Sequence, residues 1–255
     1  MAERLARGSA HHRRRRAVPR LATVLQVVAS LLGLGALLWG ADAAVRVGAE
    51  SLLARNLQAS TGVSDRPEVE LHGTFVLPQV IRGSYGSVDV SMQGIVTGPL
   101  RVERVDAQLE DVRIPFHDVL VRDLREVGVG RASSVVTLTY GDLSSYLRET
   151  GRPLTLSAAD DDTVRVSGTV DLLDQRVDAA AVVALSAGRD GVRVTPTQVE
   201  GIGALDPLDR LLLGQRLTFT VPLDTLPFGL QVTEVAPDAT HVVVRVQGSR
   251  LVVDP

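Results

Sequence analysis

Five histidines are the first residues to test for chemistry: His11, His12, His72, His117 and His241. A zinc site or a general base needs histidine grouped with other ligands or carboxylates, as in His-Glu-x-x-His on a helix or His-x-His on a strand. Neither spacing occurs: His11 and His12 belong to a basic leader, and the other three stand alone. There is no cysteine, which removes disulfides, thiolate metal sites and thiol nucleophiles together. All 27 basic residues are Arg, so Lys Schiff-base chemistry and Walker-type phosphate loops are also excluded. No Gly-x-Ser-x-Gly elbow is present, and Gly201-Ile202-Gly203 lacks the third glycine and the strand–helix context of a dinucleotide site. Asp160-Asp161-Asp162 could attract Ca²⁺, but consecutive carboxylates between strands without EF-hand spacing read as a solvated hairpin tip. Asp206 and Asp209 flank Pro207 and are explained by helix capping before Leu211-Leu212-Leu213. The expectation is no catalytic residue, no metal and no cofactor.

What stands out instead is apolar surface. Leu217-Thr218-Phe219-Thr220-Val221-Pro222-Leu223 is followed by Leu226-Pro227-Phe228-Gly229-Leu230, an apolar loop punctuated by Pro and Gly. Such a loop is either core packed under a long connection or the wall of an entrance that admits an acyl chain. Phe75-Val76-Leu77 and Val80-Ile81 surround Pro78 and are apolar on nearly every side, which means full burial or the lining of a cavity. Only eight residues are aromatic, too few for the stacking platforms of single-strand nucleic-acid binders.

The elements that must position these residues begin with a membrane signal. Arg13 to Arg16 and Arg20 precede an uncharged stretch from Leu21 to Ala41. Twenty-one residues at ~1.5 Å rise span about 31 Å, enough for a ~30 Å hydrocarbon core. Arginine on the amino side stays in the cytoplasm, so the chain after Asp42 is expected outside it. Ala41-Asp42-Ala43 resembles a signal-peptidase site, whereas the length of the apolar stretch favours an uncleaved anchor. The division is a basic leader over 1–20, an anchor over 21–41 and an exported domain over 44–255. Residues 1–43 carry seven Arg against two acids, and the rest carry 20 Arg against 28 acids. An acidic body excludes a nucleic-acid footprint.

Val45, Ala49, Leu52, Leu53 and Leu57 form one stripe of a helix over 44–58, stopped at Ser60-Thr61-Gly62. From Val69 the period becomes two: Val88, Val90, Met92 and Val96; Val164 and Val166; Val177 to Leu185; Val242, Val244 and Val246. This alternation predicts antiparallel strands with one wet and one dry face. Between Leu100 and Ile114 the apolar phase slips twice, which predicts β-bulges and a curved sheet. Asp142 is placed to cap a short helix from Leu143 to Glu149, and Pro78 to Arg82 forms another. The fold class is α+β, mostly antiparallel β.

Gly73-Thr74-Phe75-Val76-Leu77-Pro78-Gln79-Val80-Ile81-Arg82-Gly83-Ser84-Tyr85, followed by the Val88/Val90 strand, resembles the opening motif of the actinobacterial LmeA-like phospholipid-binding family. Gly73, Leu77, Gln79, Val80, Ile81, Gly83 and Tyr85 match; Thr74-Phe75-Val76 departs from the family's aromatic-Pro-aromatic cluster. Tyr140-Gly141-Asp142-Leu143, the Leu226-Pro227-Phe228 loop and the leader fit the family's layout. The resemblance implies a long curved sheet wrapped on a helix, similar to tubular lipid-binding folds. It implies a phospholipid partner, phosphatidylinositol-type lipids being those bound by the family's named member, at the cytoplasmic membrane of the cell envelope. The candidate lipid-contacting residues are Leu77, Val80, Ile81, Tyr146, Leu147, Phe219, Leu226 and Phe228. The alternative is a non-enzymatic scaffolding domain whose strands are fully packed.

Overall fold

A computed structural model of the chain describes residues 19–114, 127–159, 163–172, 175–188, 191–200, 214–215, 217–222 and 230–253. Met1–Ala43 and Ala44–Pro255 are two compact units. Helix α1 is assigned over Pro19–Thr61. In the first unit its apolar side chains stand open, with Leu31 62 % and Trp39 71 % exposed, so this is not the buried core helix of a soluble domain. One helix among the described residues is therefore long and apolar enough to cross a membrane.

The second unit is built on a six-stranded antiparallel sheet. Its strands are β1 (Glu68–His72), β2 (Ser84–Thr97), β3 (Leu100–Arg113), β4 (Val127–Thr139), β10 (Gln231–Pro237) and β11 (His241–Val253), in the order β1-β2-β3-β4-β11-β10. The expected stripe of α1 packs on its inner face: Ala49 and Ala54 are buried in the cluster that includes Val69, Leu71 and Val88, and Val45, Leu53 and Leu57 pack against that cluster. Helix α1 also covers the free edge of β1. Arg46 donates to the Leu71 and Gly73 carbonyls at 2.8 Å each, and Glu50 accepts from the Leu71 amide at 3.0 Å. An edge strand is thus closed to further pairing.

The two phase slips in β3 are real, but they are not inserted residues. Pairing with β2 and β4 keeps one register throughout, and the slips are made by left-handed residues instead. By register, Gly86, Asp111, Gly130 and Arg250 form one row across β2, β3, β4 and β11, with Asp111 at φ 53° and Arg250 at φ 55°. A Cβ on Gly130 would lie 2.7 Å from the Asp111 Cβ, so this row needs glycine beside its left-handed neighbour. All four strands change phase together. Tyr85, Val112 and Val129 on one side of the row therefore share a cluster with Val88 and Ala132 on the other. A second slip lies at Gly94 (φ 66°) opposite Glu103; beyond it Ile95 packs inward and Val96 is exposed, reversing the alternation expected there. The bulges sit elsewhere, at Thr233 in β10 and at Thr197 in the second sheet, where each threonine hydroxyl donates to a carbonyl of the facing strand.

The second sheet has the order β5-β6-β7-β8-β9, with β5 (Leu154–Ala158), β6 (Val164–Leu172), β7 (Gln175–Gly188), β8 (Gly191–Glu200) and β9 (Phe219–Pro222). It covers the other half of the first sheet together with α3 (Tyr140–Glu149). This helix starts three residues earlier than expected. Thr139 is the cap, its hydroxyl oxygen accepting from the Asp142 amide at 3.0 Å while its hydroxyl donates to the Asp142 carboxylate at 2.7 Å. The remaining helix, α2, spans Leu77–Arg82.

Candidate functional site

Among the described residues the inner face of the first sheet is mainly apolar, broken by the buried Ser134, and two clusters divide it. Toward α1 and α2 lie Leu71, Val76, Val80, Tyr85, Val88 and Val112. Toward α3 and the second sheet lie Leu138, Leu147, Val164, Val194, Val242 and Val244, all at most 1 % exposed. Leu230 packs against both. Between α3 and the two sheets sits a void of about 20 Å³, walled by Leu138, Leu147, Leu156, Val194, Val221, Val242 and other aliphatic side chains. A dry apolar cavity that takes benzene measures ~150 Å³, so this seam is closed and an acyl chain must part it.

The candidate residues fall into these two regions. Tyr146 packs on the second cluster, Leu147 is 1 % exposed in the void wall, and Phe219 is 6 % exposed with the Arg152 guanidinium 4.8 Å from its ring centre. Val80 is buried in the first cluster and Leu77 is half-buried, whereas Ile81 is 58 % exposed. Leu226 and Phe228 lie outside the described residues, as do His117 and Asp160 to Asp162. The α2 segment, expected to be wholly buried or cavity-lining, is in fact split: Val76 is fully buried, but Phe75 is 53 % exposed.

Local chemistry explains how α2 is held. The Gln79 amide donates to the His72 and Phe75 carbonyls at 3.1 Å each, and its oxygen accepts from the Gly86 amide at 3.2 Å. Any side chain on Gly73, at φ 135°, would collide with that amide. Gly83 ends the helix in the left-handed region. The family-like glycines and glutamine therefore build a rigid turn. Sequence reading missed this role, although Gln79 as the lone polar residue between Pro78 and Val80 was its signal. It also missed Ser144, which donates to the Tyr140 carbonyl at 2.6 Å, accepts from the Leu156 amide at 2.8 Å, and so ties α3 to β5.

Charged groups of the first sheet gather on its other side. Across five strands the outer face forms a groove of about 500 Å³ lined by Glu70, Asp89, Asp106, Gln108, Arg245 and neighbours. Three ion pairs lie in or beside it: His72 with Asp89 at 2.8 Å, Arg104 with Asp106 at 2.7 Å, and Arg245 with Glu234 at 2.6 Å. The Arg104 hydrogen bond holds the Asp106 carboxyl below its ordinary range. Backbone amides of Thr240 and His241 do the same for Asp238. Burial raises the Tyr140 hydroxyl, with the Asp238 charge adding to it. No cluster of three or more His, Cys, Asp or Glu side chains suited to a metal occurs among the described residues. The void wall is aliphatic and carries no titratable group. A family model described as LmeA-like phospholipid-binding matches residues 40–247. No curated protein and no solved structure matches the chain.

Proposed function

The chain belongs to the LmeA-like phospholipid-binding family, and from that membership we propose that it is a membrane-tethered, extracytoplasmic phospholipid-binding protein. The N-terminal segment anchors it with the arginines inside, and the strand-rich unit holds an acyl chain of a cell-envelope phospholipid, including the phosphatidylinositol type. It is not an enzyme. The observation that supports this reading is the mainly aliphatic inner face, with a narrow void between aliphatic side chains beside α3.

The physical argument is one of exchange. At about 0.8 kcal/mol per CH₂ removed from water, a chain of some sixteen carbons offers roughly 13 kcal/mol. Parting the seam costs dispersion contacts among Leu138, Leu147, Leu156 and Val194, and the acyl chain replaces those contacts with its own. No buried hydrogen bond has to be left unmade along the void wall. Head-group contacts then fall to arginines and backbone amides at the rim. In this reading Tyr146, Leu147 and Phe219, in or on the cluster that holds the void, contact the acyl chain, and Leu77, Val80, Ile81, Leu226 and Phe228 are proposed as further lipid contacts.

The small size of the void favours a second reading, a scaffolding domain with a fully packed interior. One experiment decides between them. The full chain is reconstituted with a phospholipid carrying a diazirine near the end of an acyl chain, irradiated, digested and mapped by mass spectrometry. Adducts on peptides covering 138–156 and 217–222 are expected. Adducts confined to residues 21–41 would leave the anchor standing and replace lipid binding with the scaffold.

A further inference from the structure

We propose that the turn carrying Phe75 and the helix α2 dip into the bilayer crossed by the anchor, placing Phe75 and Ile81 at the boundary between headgroups and acyl chains and Arg82 among the phosphates. The inference rests on the anchoring reading above.

Three observations carry it. First, Phe75 (53 %), Ile81 (58 %) and Val47 (64 %) are large apolar residues left open to solvent at one end of the second unit. The first two sit on a backbone that cannot fold them away: Val76 and Val80 pin the turn from beneath, and Gln79 ties it to His72, Phe75 and Gly86. Apolar side chains displayed on a rigid tip beside an exposed arginine match the composition of interfacial anchors, which bury their apolar side ~5–10 Å into the boundary region. Second, the direction of α1 within this unit is set by its hydrogen bonds. Arg46 reaches Leu71 and Gly73, Ser51 meets Arg66, and Gln58 meets Ser64, so the helix runs antiparallel to the chain that follows it and its Arg46 end lies at the α2 end of the sheet. Third, Arg46 is five residues past Ala41, the last residue of the apolar stretch. Chain connectivity alone limits that gap to about 18 Å at full extension. Arg46 in turn lies 2.8 Å from the Gly73 carbonyl, two residues before Phe75. The tip is therefore tied to the point where the chain leaves the membrane, whatever the orientation of the two units.

The absence of cysteine makes the test direct, because a single introduced cysteine takes the label. The full chain is placed in phosphatidylcholine–phosphatidylglycerol vesicles with an environment-sensitive nitrobenzoxadiazole probe at Ile81→Cys, Val96→Cys or Leu31→Cys. Quenching by lipids bearing a nitroxide near the headgroup or deep in the acyl chain is then read. Val96 is the control for the probe's own hydrophobicity, since it is equally open (64 %) but lies at the far end of β2. The expected result is a blue-shifted Ile81 probe quenched best by the shallow nitroxide, a Leu31 probe quenched best by the deep one, and an unquenched Val96 probe. Quenching at Leu31 without quenching at Ile81 overturns the tip and leaves the anchor intact. Equal quenching at Ile81 and Val96 also overturns it, as a domain lying on its side or a probe inserting itself. No quenching at Leu31 removes the anchor and the tip together. A probe at Phe75→Cys repeats the reading from the neighbouring side chain.

Discussion

The two halves of the long sheet share strands but not covers. Where α1 and α2 lie on it, the apolar contacts are reinforced by polar ties of long reach: Arg46 and Glu50 to the β1 backbone, and Gln79 to three backbone groups around α2. Where the second sheet lies on it, the seam is Leu and Val against Leu and Val, with Ser144 tying α3 to β5 on one flank. Hydrogen bonds fix one geometry because misalignment leaves a donor or acceptor unsatisfied. Apolar contacts are non-directional and can be exchanged for other apolar contacts at little cost. The first half is thus suited to holding position at the anchor, and the second to opening.

The largest effect expected from this contrast is Leu147→Asp. A carboxylate forced into the closed seam should cost more than about 4 kcal/mol, read as a collapse of the thermal transition by circular dichroism. Ile81→Asp on α2 should cost about 0.5 kcal/mol or less, because that position is already open to water. Equal losses at the two positions would erase the distinction between the halves.

A smaller effect tests the polar ties. Gln79→Ala removes three partly exposed hydrogen bonds and should cost about 1–3 kcal/mol, with faster hydrogen exchange at the Gly86 amide and unchanged exchange in β7. Faster exchange in both regions would mean that they do not behave as separate parts.

The smallest effect is one of pH. Asp106 has its carboxyl held below the ordinary range by Arg104, so its contribution is complete above that range and is lost as pH falls through the lowered value. The pair is exposed and screened, so Asp106→Asn should only slightly flatten the acid limb of the melting-temperature profile. A large change there would relocate the acid-sensitive contacts to the outer groove.

Much of this architecture is legible in a single chain, for reasons tied to particular residues. Period two from Val88 and from Val242 marks strands because successive side chains must face opposite sides. The stripe from Val45 to Leu57 marks the packed face of α1 for the analogous helical reason. The two slips between Leu100 and Ile114 were visible as well, but their cause was not. One strand cannot reveal that Gly86, Gly130 and Arg250 stand beside Asp111 and change phase with it. An inserted residue and a left-handed residue leave the same trace in one strand and differ only in the pairing of its neighbours. The largely apolar composition around α2 points to full burial or the lining of a cavity, whereas the Gln79 ties and the buried Val76 decide that Phe75 and Ile81 turn outward.

Local chemistry by itself determined the apolar N-terminal segment, the helices and the alternation of the strands, because each follows from spacing along one chain. The tertiary structure decided what covers each dry face. Alternation requires that a face be buried without naming its partner, and the partners here come from far along the chain: Arg46 for Gly73 and Tyr140 for Asp238. It also decided that the seam beside Leu147 is closed, since a void is the space left among side chains drawn from seven separate elements, and no stretch of sequence encodes that remainder.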